Sequence, residues 1–120
     1  MTTSKRKGSD WEYRVKKYFE DMGYLVSRWS SNVDLKKNKL IPARPRFNPG
    51  TKSFLMNSAG FPDFVVVSPY FWFFVECKLN GKLSAEEKKK AAFYKDLGYH
   101  FFVASKEIVN GRISVKLCLL

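Results

Sequence analysis

Residues 60–78 read GFPDFVVVSPYFWFFVECK, and this stretch decides the fold. It holds two near-continuous hydrophobic runs, residues 63–67 and 70–76, joined by a Ser-Pro pair. Runs rich in Val and Phe with a Pro-containing turn between them are typical of antiparallel strands that are buried on both faces. The sequence therefore predicts a β-hairpin at the centre of a sheet. The aromatic residues expected in its core are Trp72, Phe73 and Phe74.

A helix and a strand are predicted upstream of the hairpin. Apolar residues recur at helical spacing after Ser9 and Asp10, either of which can cap the helix. Gly23 is expected to end it. Residues 24–29 then predict a short strand from their β-branched and aromatic content.

A second helix and two strands are predicted downstream. Ser84 and Glu87 fit a capping box, which opens a helix that ends before Gly98. Residues 99–104 and 113–119 follow as strands. The predicted fold class is α/β, in the order α-β-(insertion)-β-β-α-β-β.

Residues 30–60 form an insertion that carries six basic residues and a single acid. A connection of this length in a small domain is usually functional or ordered in its own right. Within it, Asn-Pro-Gly-Thr at 48–51 has the residues of a type II turn, between segments 44–47 and 52–55. We therefore expect a basic β-hairpin arm.

The composition indicates one domain, residues 1–120, with a polyanionic partner. Lys and Arg number 22 against 11 Asp and Glu, a net charge of +11, which favours nucleic acid. The longest apolar stretch, 64–75, is too short to span a membrane, and no apolar signal-peptide region is visible. Cys77 and Cys118 are expected as buried thiols of a reducing compartment, so we expect an intracellular protein, in the cytoplasm or in a host-cell cytoplasm if viral.

Two acidic residues lie at the ends of the most apolar segments of this basic protein. Asp63 opens the first strand of the hairpin and Glu76 ends the second, so the hairpin brings them to the same end. Lys78 shares a strand face with Glu76, about 6.6 Å farther along. Carboxylates beside an ammonium group are suited to Mg²⁺, which is commonly held by one or two carboxylates plus a substrate phosphate.

Each of these residues also has a purely structural interpretation. Glu12, on the first helix, can pair with Lys16 one turn along. Asp63 can cap the turn that precedes it. Glu76 and Lys78 can form an ordinary ion pair where the strand leaves the core.

One motif resembles the PD-(D/E)XK signature of the restriction-endonuclease-like nuclease superfamily: Pro62-Asp63, followed after twelve residues by Glu76-Cys77-Lys78. The first helix and strand are similar to the opening of archaeal Holliday-junction resolvases. Segments 81–84 and 97–98 resemble the virus-type replication-repair (VRR-NUC) branch. The likeness spans residues 7–104 and implies a restriction-endonuclease-like core, α-β-β-β-α-β, with a central mixed sheet flanked by helices.

The resemblance implies a role for each motif residue. Asp63 and Glu76 would ligate a divalent metal, with the carbonyl of Cys77 as a third ligand. Glu12 would complete the metal site or bind a second ion, and Lys78 would be the catalytic lysine. The implied cofactor is Mg²⁺, with Mn²⁺ as a substitute. The chain departs from many relatives on the second helix, where it has Glu87 and Lys88 in place of Gln.

The expected function is metal-dependent hydrolysis of branched DNA, such as a Holliday junction, by a homodimer. The alternatives are a nucleic-acid-binding module without catalysis and a nuclease-fold partner subunit. His100 is expected to pack on a strand, and Trp29 belongs either to the core or to an anchor of the insertion. The residues expected to contact DNA are Lys5, Arg6, Lys7, Arg28, Ser30, Ser31, Lys36, Lys37, Lys39, Arg44, Arg46, Lys52, Lys82 and Lys88.

Overall fold

The computed structural model describes residues 4–43, 46–48, 50, 53–55 and 60–120. These residues form a mixed α/β fold with two helices and a five-stranded sheet, which confirms the predicted class. In chain order the elements are α1 (Ser4–Asp21), β1 (Leu25–Arg28), β2 (Ser31–Asp34), β3 (Lys39–Pro42), β4 (Arg46–Asn48), β5 (Ser53–Leu55), β6 (Phe64–Val67), β7 (Trp72–Cys77), α2 (Ala85–Asp96), β8 (Phe101–Val109) and β9 (Arg112–Leu119).

The central sheet has the strand order β1-β6-β7-β8-β9. Strands β6 and β7 pair antiparallel, with Phe64 opposite Val75, so the predicted hairpin is confirmed and β7 is the middle strand. Strands β7 and β8 are parallel, a pairing that needs a crossover connection, which α2 supplies. Strand β8 is longer than predicted because its antiparallel ladder with β9 runs to Val109.

The two helices cover opposite faces of the sheet. Trp11, Val15 and Phe19 of α1 pack in one buried cluster with Phe73 and other residues of the central strands. On the other face, Ala91 and Tyr94 of α2 pack in a second buried cluster with Phe74, the next residue of β7. Alternate residues of β7 therefore serve both layers, as expected for a strand buried on two sides.

Several predicted details are wrong at the ends of elements. Helix α1 begins at Ser4, ahead of the predicted caps, and Lys and Arg are residue types of high helix propensity. Trp72 was expected in the core but is 44% exposed, since it lies at the turn end of the hairpin. His100 precedes β8 and is exposed, with its ring 5.1 Å from that of Phe71. Cys118 is an exposed free thiol on the outermost strand.

The insertion contains two hairpins where one was predicted. The predicted pairing of β4 with β5 is confirmed, although part of the expected turn, and Arg44 and Lys52, lie outside the described residues. The second hairpin pairs β2 with β3. Its turn is held by the Asp34 carboxylate, which accepts the backbone N–H groups of Lys36 and Lys37, and it closes at Asn38 with a φ of 52°.

The helix ends follow the predicted signals. The Ser84 side chain accepts the N–H of Glu87, whose carboxylate accepts the N–H of Ser84 in return, so the capping box of α2 is confirmed. Gly23 and Gly98 follow α1 and α2 at φ values of 86° and 93°, the left-handed conformation that glycine adopts without strain. Neither helix in the described part of the chain is long and apolar enough to cross a membrane.

Candidate metal and nucleic-acid site

The β6–β7 register brings Asp63 and Glu76 side by side at one end of the central sheet. Because Phe64 lies opposite Val75, the residues just beyond this pair meet as well. The Asp63 N–H donates to Glu76 Oε1 over 3.1 Å, and the Cys77 N–H donates to Asp63 Oδ2 over 2.8 Å. The N–H and C=O of one strand residue point to the same side, so the Cys77 carbonyl is expected on the side of β7 that faces β6.

Helix α1 adds a third carboxyl group to this end of the sheet. The Glu12 and Asp63 carboxyl groups are close enough to share a hydrogen bond when one of them carries a proton. Arg28 Nη2 lies 3.3 Å from Glu12 Oε2, and its guanidinium stacks 5.3 Å from the ring centroid of Phe64. Among the described ion pairs, Glu12 therefore pairs with Arg28 on β1 and not with Lys16 on its own helix.

Burial and the nearby charge of Asp63 make Glu76 and Glu12 hold protons more tightly than usual. Glu76 is only 6% exposed. Burial, followed by the nearby charge of Asp63, raises the pKa of Glu76 to about 10. The same two causes raise the pKa of Glu12 to about 7, against the opposing effect of Arg28. We call Glu12, Asp63 and Glu76 the carboxylate cluster; Glu76 is buried, and Glu12 and Asp63 are partly exposed.

Lys78 lies next to the carboxylate cluster but forms its ion pair with α2. Its Nζ is 2.7 Å from Glu87 Oε2. Partial burial acts to lower the pKa of Lys78, but the hydrogen bond and charge of Glu87, with the charges of Glu76 and Asp63, raise it overall. The ammonium group therefore stays protonated. Because Glu87 also accepts the Ser84 N–H, the start of α2 fixes the position of this lysine.

Glu87 is a site residue whose role the sequence did not reveal. Burial acts to raise its pKa, but the hydrogen bond from Lys78 and the backbone of Ser84 lower it overall. The capping box was visible in the sequence and predicted where Glu87 lies on the helix. The contact with Lys78 depends on the path of residues 79–83, for which no sequence signal exists.

A buried polar chain ties the insertion to the same region. The Tyr94 hydroxyl donates to the carbonyl of Phe61 over 2.6 Å and accepts from the indole N–H of Trp29 over 3.1 Å. Burial raises the pKa of Tyr94 to about 12. Trp29 thus anchors the start of the insertion against α2. Gly60 lets the backbone return there, because a Cβ atom on it would lie 2.3 Å from the Trp29 carbonyl oxygen.

The basic residues predicted to contact DNA are distributed over several surfaces. Arg28 lies at the carboxylate cluster, and the β2–β3 hairpin carries three exposed lysines at its turn end. Ser30 and Ser31 flank the insertion with backbone carbonyls that accept the N–H groups of Ala43 and Phe61. The remaining positions follow from the element bounds: Lys5, Arg6 and Lys7 in the first turns of α1, Lys36 and Lys37 in the hairpin turn, Lys39 in β3, Arg46 in β4, Lys82 before α2, and Lys88 within it.

The donor set of this site suits a hard divalent cation. Its donors are carboxylate and carbonyl oxygens, and its surplus of acids lies in a poorly solvated position. Among the residues that the structure describes, no group of three or more His, Cys, Asp or Glu side chains is placed so that it could hold a metal ion. Mg²⁺ does not require three such side chains, because it usually keeps several waters and takes one or two carboxylates plus a phosphate oxygen.

Comparisons with protein-family models, with curated proteins and with solved structures found no match to this chain.

Proposed function

We propose that this protein is a Mg²⁺-dependent DNA endonuclease with a restriction-endonuclease-like core of the PD-(D/E)XK type. One observation carries the proposal. Asp63, the residue before β6, lies close to both Glu12 of α1 and Glu76 of β7, and Lys78 lies beside Asp63 and Glu76, at one end of the central sheet of a chain with a net charge of +11. A group of partly buried acids on a chain of high positive charge is suited to a divalent cation and a phosphate group together.

The residues of the site have distinct roles in this proposal. Asp63, Glu76 and the Cys77 carbonyl would hold Mg²⁺, with Glu12 completing the set or holding a second ion. When bound, the ion supplies Lewis acidity at the scissile phosphate. Lys78 stabilises the negative charge that develops on the phosphoryl oxygens, as a preorganised ammonium group does in a poorly solvated site.

We further propose that the substrate is branched DNA and that the enzyme acts as a homodimer. Six basic residues in the insertion and a basic first turn of α1 suit contacts to phosphates, which position DNA without reading its sequence. Recognition of DNA shape, as at a Holliday junction or a flap, follows from such contacts more readily than recognition of a base sequence. Cutting two strands symmetrically calls for two copies related by a two-fold axis.

A second candidate function is a nucleic-acid-binding module without catalysis. In the described part of the chain, no group of three or more His, Cys, Asp or Glu side chains is placed to hold a metal ion, which favours this function. The ion pair of Lys78 with Glu87 also favours it, because that lysine is already neutralised. In this function the carboxylate cluster would bind no metal ion and would have only a structural role at the end of the sheet.

A cleavage assay separates the two functions. Labelled four-way, flap, duplex and single-stranded DNA are incubated with Mg²⁺ or with EDTA, using the wild type, Asp63→Asn and the control Asp21→Asn at the exposed end of α1. Even outer-shell partners of a metal ligand change activity 10- to 100-fold, so Asp63→Asn should reduce cleavage by at least about 100-fold. Wild-type protein that binds every substrate and cuts none would leave only the binding module.

A further inference from the structure

A groove with a cationic rim runs between α2 and the outer strands of the sheet. Its volume is about 620 Å³. Three lysines line it, together with apolar or small side chains. The lining residues used below are Lys82, Lys88, Lys95, Leu83, Ala91 and Cys118. We call it the lysine groove.

The three lysines are placed along one path that starts near the carboxylate cluster. Lys82 lies four residues after Lys78, and Lys88 follows Glu87, the partner of Lys78. Lys88 and Lys95 are seven residues apart on α2, which places them on one face about 10 Å apart along the axis. The groove therefore leads away from the proposed cleavage site along the helix.

None of the ion pairs that the structure describes involves a lysine of the lysine groove. The described residues that line it include no Asp or Glu. In the part of the chain that the structure describes, the lysines engaged in ion pairs are Lys78 and Lys90. Three uncompensated ammonium groups above an apolar floor complement a ligand with regularly spaced anionic groups and apolar faces.

We propose that the lysine groove binds an unpaired strand of DNA as it leaves the cleavage site. This inference rests on the proposed nuclease function and deepens it by naming the substrate class: DNA with a single-stranded arm next to the scissile bond. The volume lies in the range of small-molecule pockets, roughly 300–1,000 Å³, so the groove would take individual nucleotides of a single strand. A duplex could only lie across the rim. Lysines would contact the phosphates, and Leu83 and Ala91 would contact sugars and bases.

The exposed thiol of Cys118 provides a direct probe of this groove. Full-length protein in EDTA is labelled with a maleimide, and the rate at Cys118 is followed by mass spectrometry, with the partly buried Cys77 as an internal reference. With dT12 at ten times its Kd, labelling of Cys118 should slow about tenfold. A hairpin duplex with the same number of phosphates, at the same multiple of its own Kd, should leave the rate within about twofold.

Charge-removal variants give an independent readout. Replacing Lys88 and Lys95 by Ala should reduce the slope of log K against log salt for dT12 by about 1.4, since each phosphate contact to a single strand contributes about 0.7. The control pair Lys17→Ala and Lys89→Ala removes the same charge from surfaces outside the groove and should leave the slope unchanged.

Three outcomes would overturn the inference: equal protection by the duplex, equal protection by polyglutamate of the same charge, or slow labelling caused by self-association in sedimentation experiments. These outcomes are distinct from a failure of the nuclease function. Protection of Cys118 by dT12 in a protein that cuts no DNA would reject the enzyme and keep the groove. Cleavage of DNA without protection of Cys118 by dT12 would reject the groove and keep the enzyme.

Discussion

Replacing Glu76 by Gln should stabilise the metal-free protein at neutral pH while abolishing its proposed activity. Glu76 is 6% exposed, and burial beside Asp63 raises its pKa to about 10. Gln has nearly the same shape and keeps an oxygen that can accept the Asp63 N–H, a bond of 3.1 Å in the wild type. It differs in having no proton to gain or lose. The substitution therefore removes the pH-dependent free-energy cost of protonating Glu76 and changes the packing little.

The size of this effect follows from linkage between folding and proton binding. The unfolded side chain ionises near 4.5, so at pH 7 the wild type must take up a proton at Glu76 in order to fold. At 1.36 kcal/mol per pH unit, the interval from 4.5 to 7 corresponds to about 3 kcal/mol. Because the pKa of Glu76 is higher in the folded state than in the unfolded state, its contribution to the free energy of unfolding is complete only below pH 4.5. That contribution is lost as the pH rises toward 10. The advantage of Glu76→Gln should thus grow with pH.

Urea unfolding in EDTA at pH 4.5, 6, 7 and 8 measures this difference. We expect the variant to exceed the wild type by about 3 kcal/mol at pH 7 and by about 0 at pH 4.5. The control Glu107→Gln changes an exposed glutamate on β8 and should stay within about 0.5 kcal/mol at every pH. Adding Mg²⁺ should stabilise the wild type and leave Glu76→Gln unchanged. A variant that is less stable at pH 7, or a difference that does not depend on pH, would refute this account of the cluster.

Two further predictions concern the supports of the site. Glu87→Gln keeps an acceptor for the start of α2 but loses the charge that holds Lys78, so cleavage should fall by about 10- to 100-fold with little loss of stability. Ser84→Ala, its control, should lower the free energy of unfolding by about 1 kcal/mol in urea titrations and leave cleavage intact, and equal loss of activity in both would reject a positioning role. Gly60→Ala should destabilise the fold by about 1–3 kcal/mol, because the new Cβ would lie 2.3 Å from the Trp29 carbonyl oxygen; unchanged thermal unfolding would show that the insertion moves aside freely.

The central hairpin and the ends of α2 were predictable because their signals are local. The apolar runs around residues 68–69 leave few possible registers, so Asp63 and Glu76 had to meet if the hairpin formed. The capping box of α2 is likewise set by residues three positions apart. Where the deciding contacts lie within a few residues or one hairpin, pattern and turn chemistry are sufficient.

The remaining features depend on contacts between distant parts of the chain. Arg28 reaches Glu12 across 16 positions, and Lys78 reaches Glu87 across a loop. Neither pairing leaves a periodic trace in the sequence. The β2–β3 hairpin was missed for another reason, since its turn depends on the side chain of Asp34 and the positive φ of Asn38, whereas the Pro-Gly signal of the next hairpin is much stronger.

In the proposed function, the charges at the site would link metal binding to DNA binding. Without a cation, the negative charge that remains on the carboxylate cluster would repel a phosphate. A divalent ion at the cluster would neutralise that charge and draw the phosphate toward Lys78, which Glu87 holds in position. Such coupling is reciprocal by thermodynamic necessity, so DNA must tighten metal binding as much as metal tightens DNA binding. A cluster that binds its ion weakly alone and strongly with DNA would confine hydrolysis to the protein that already holds its substrate.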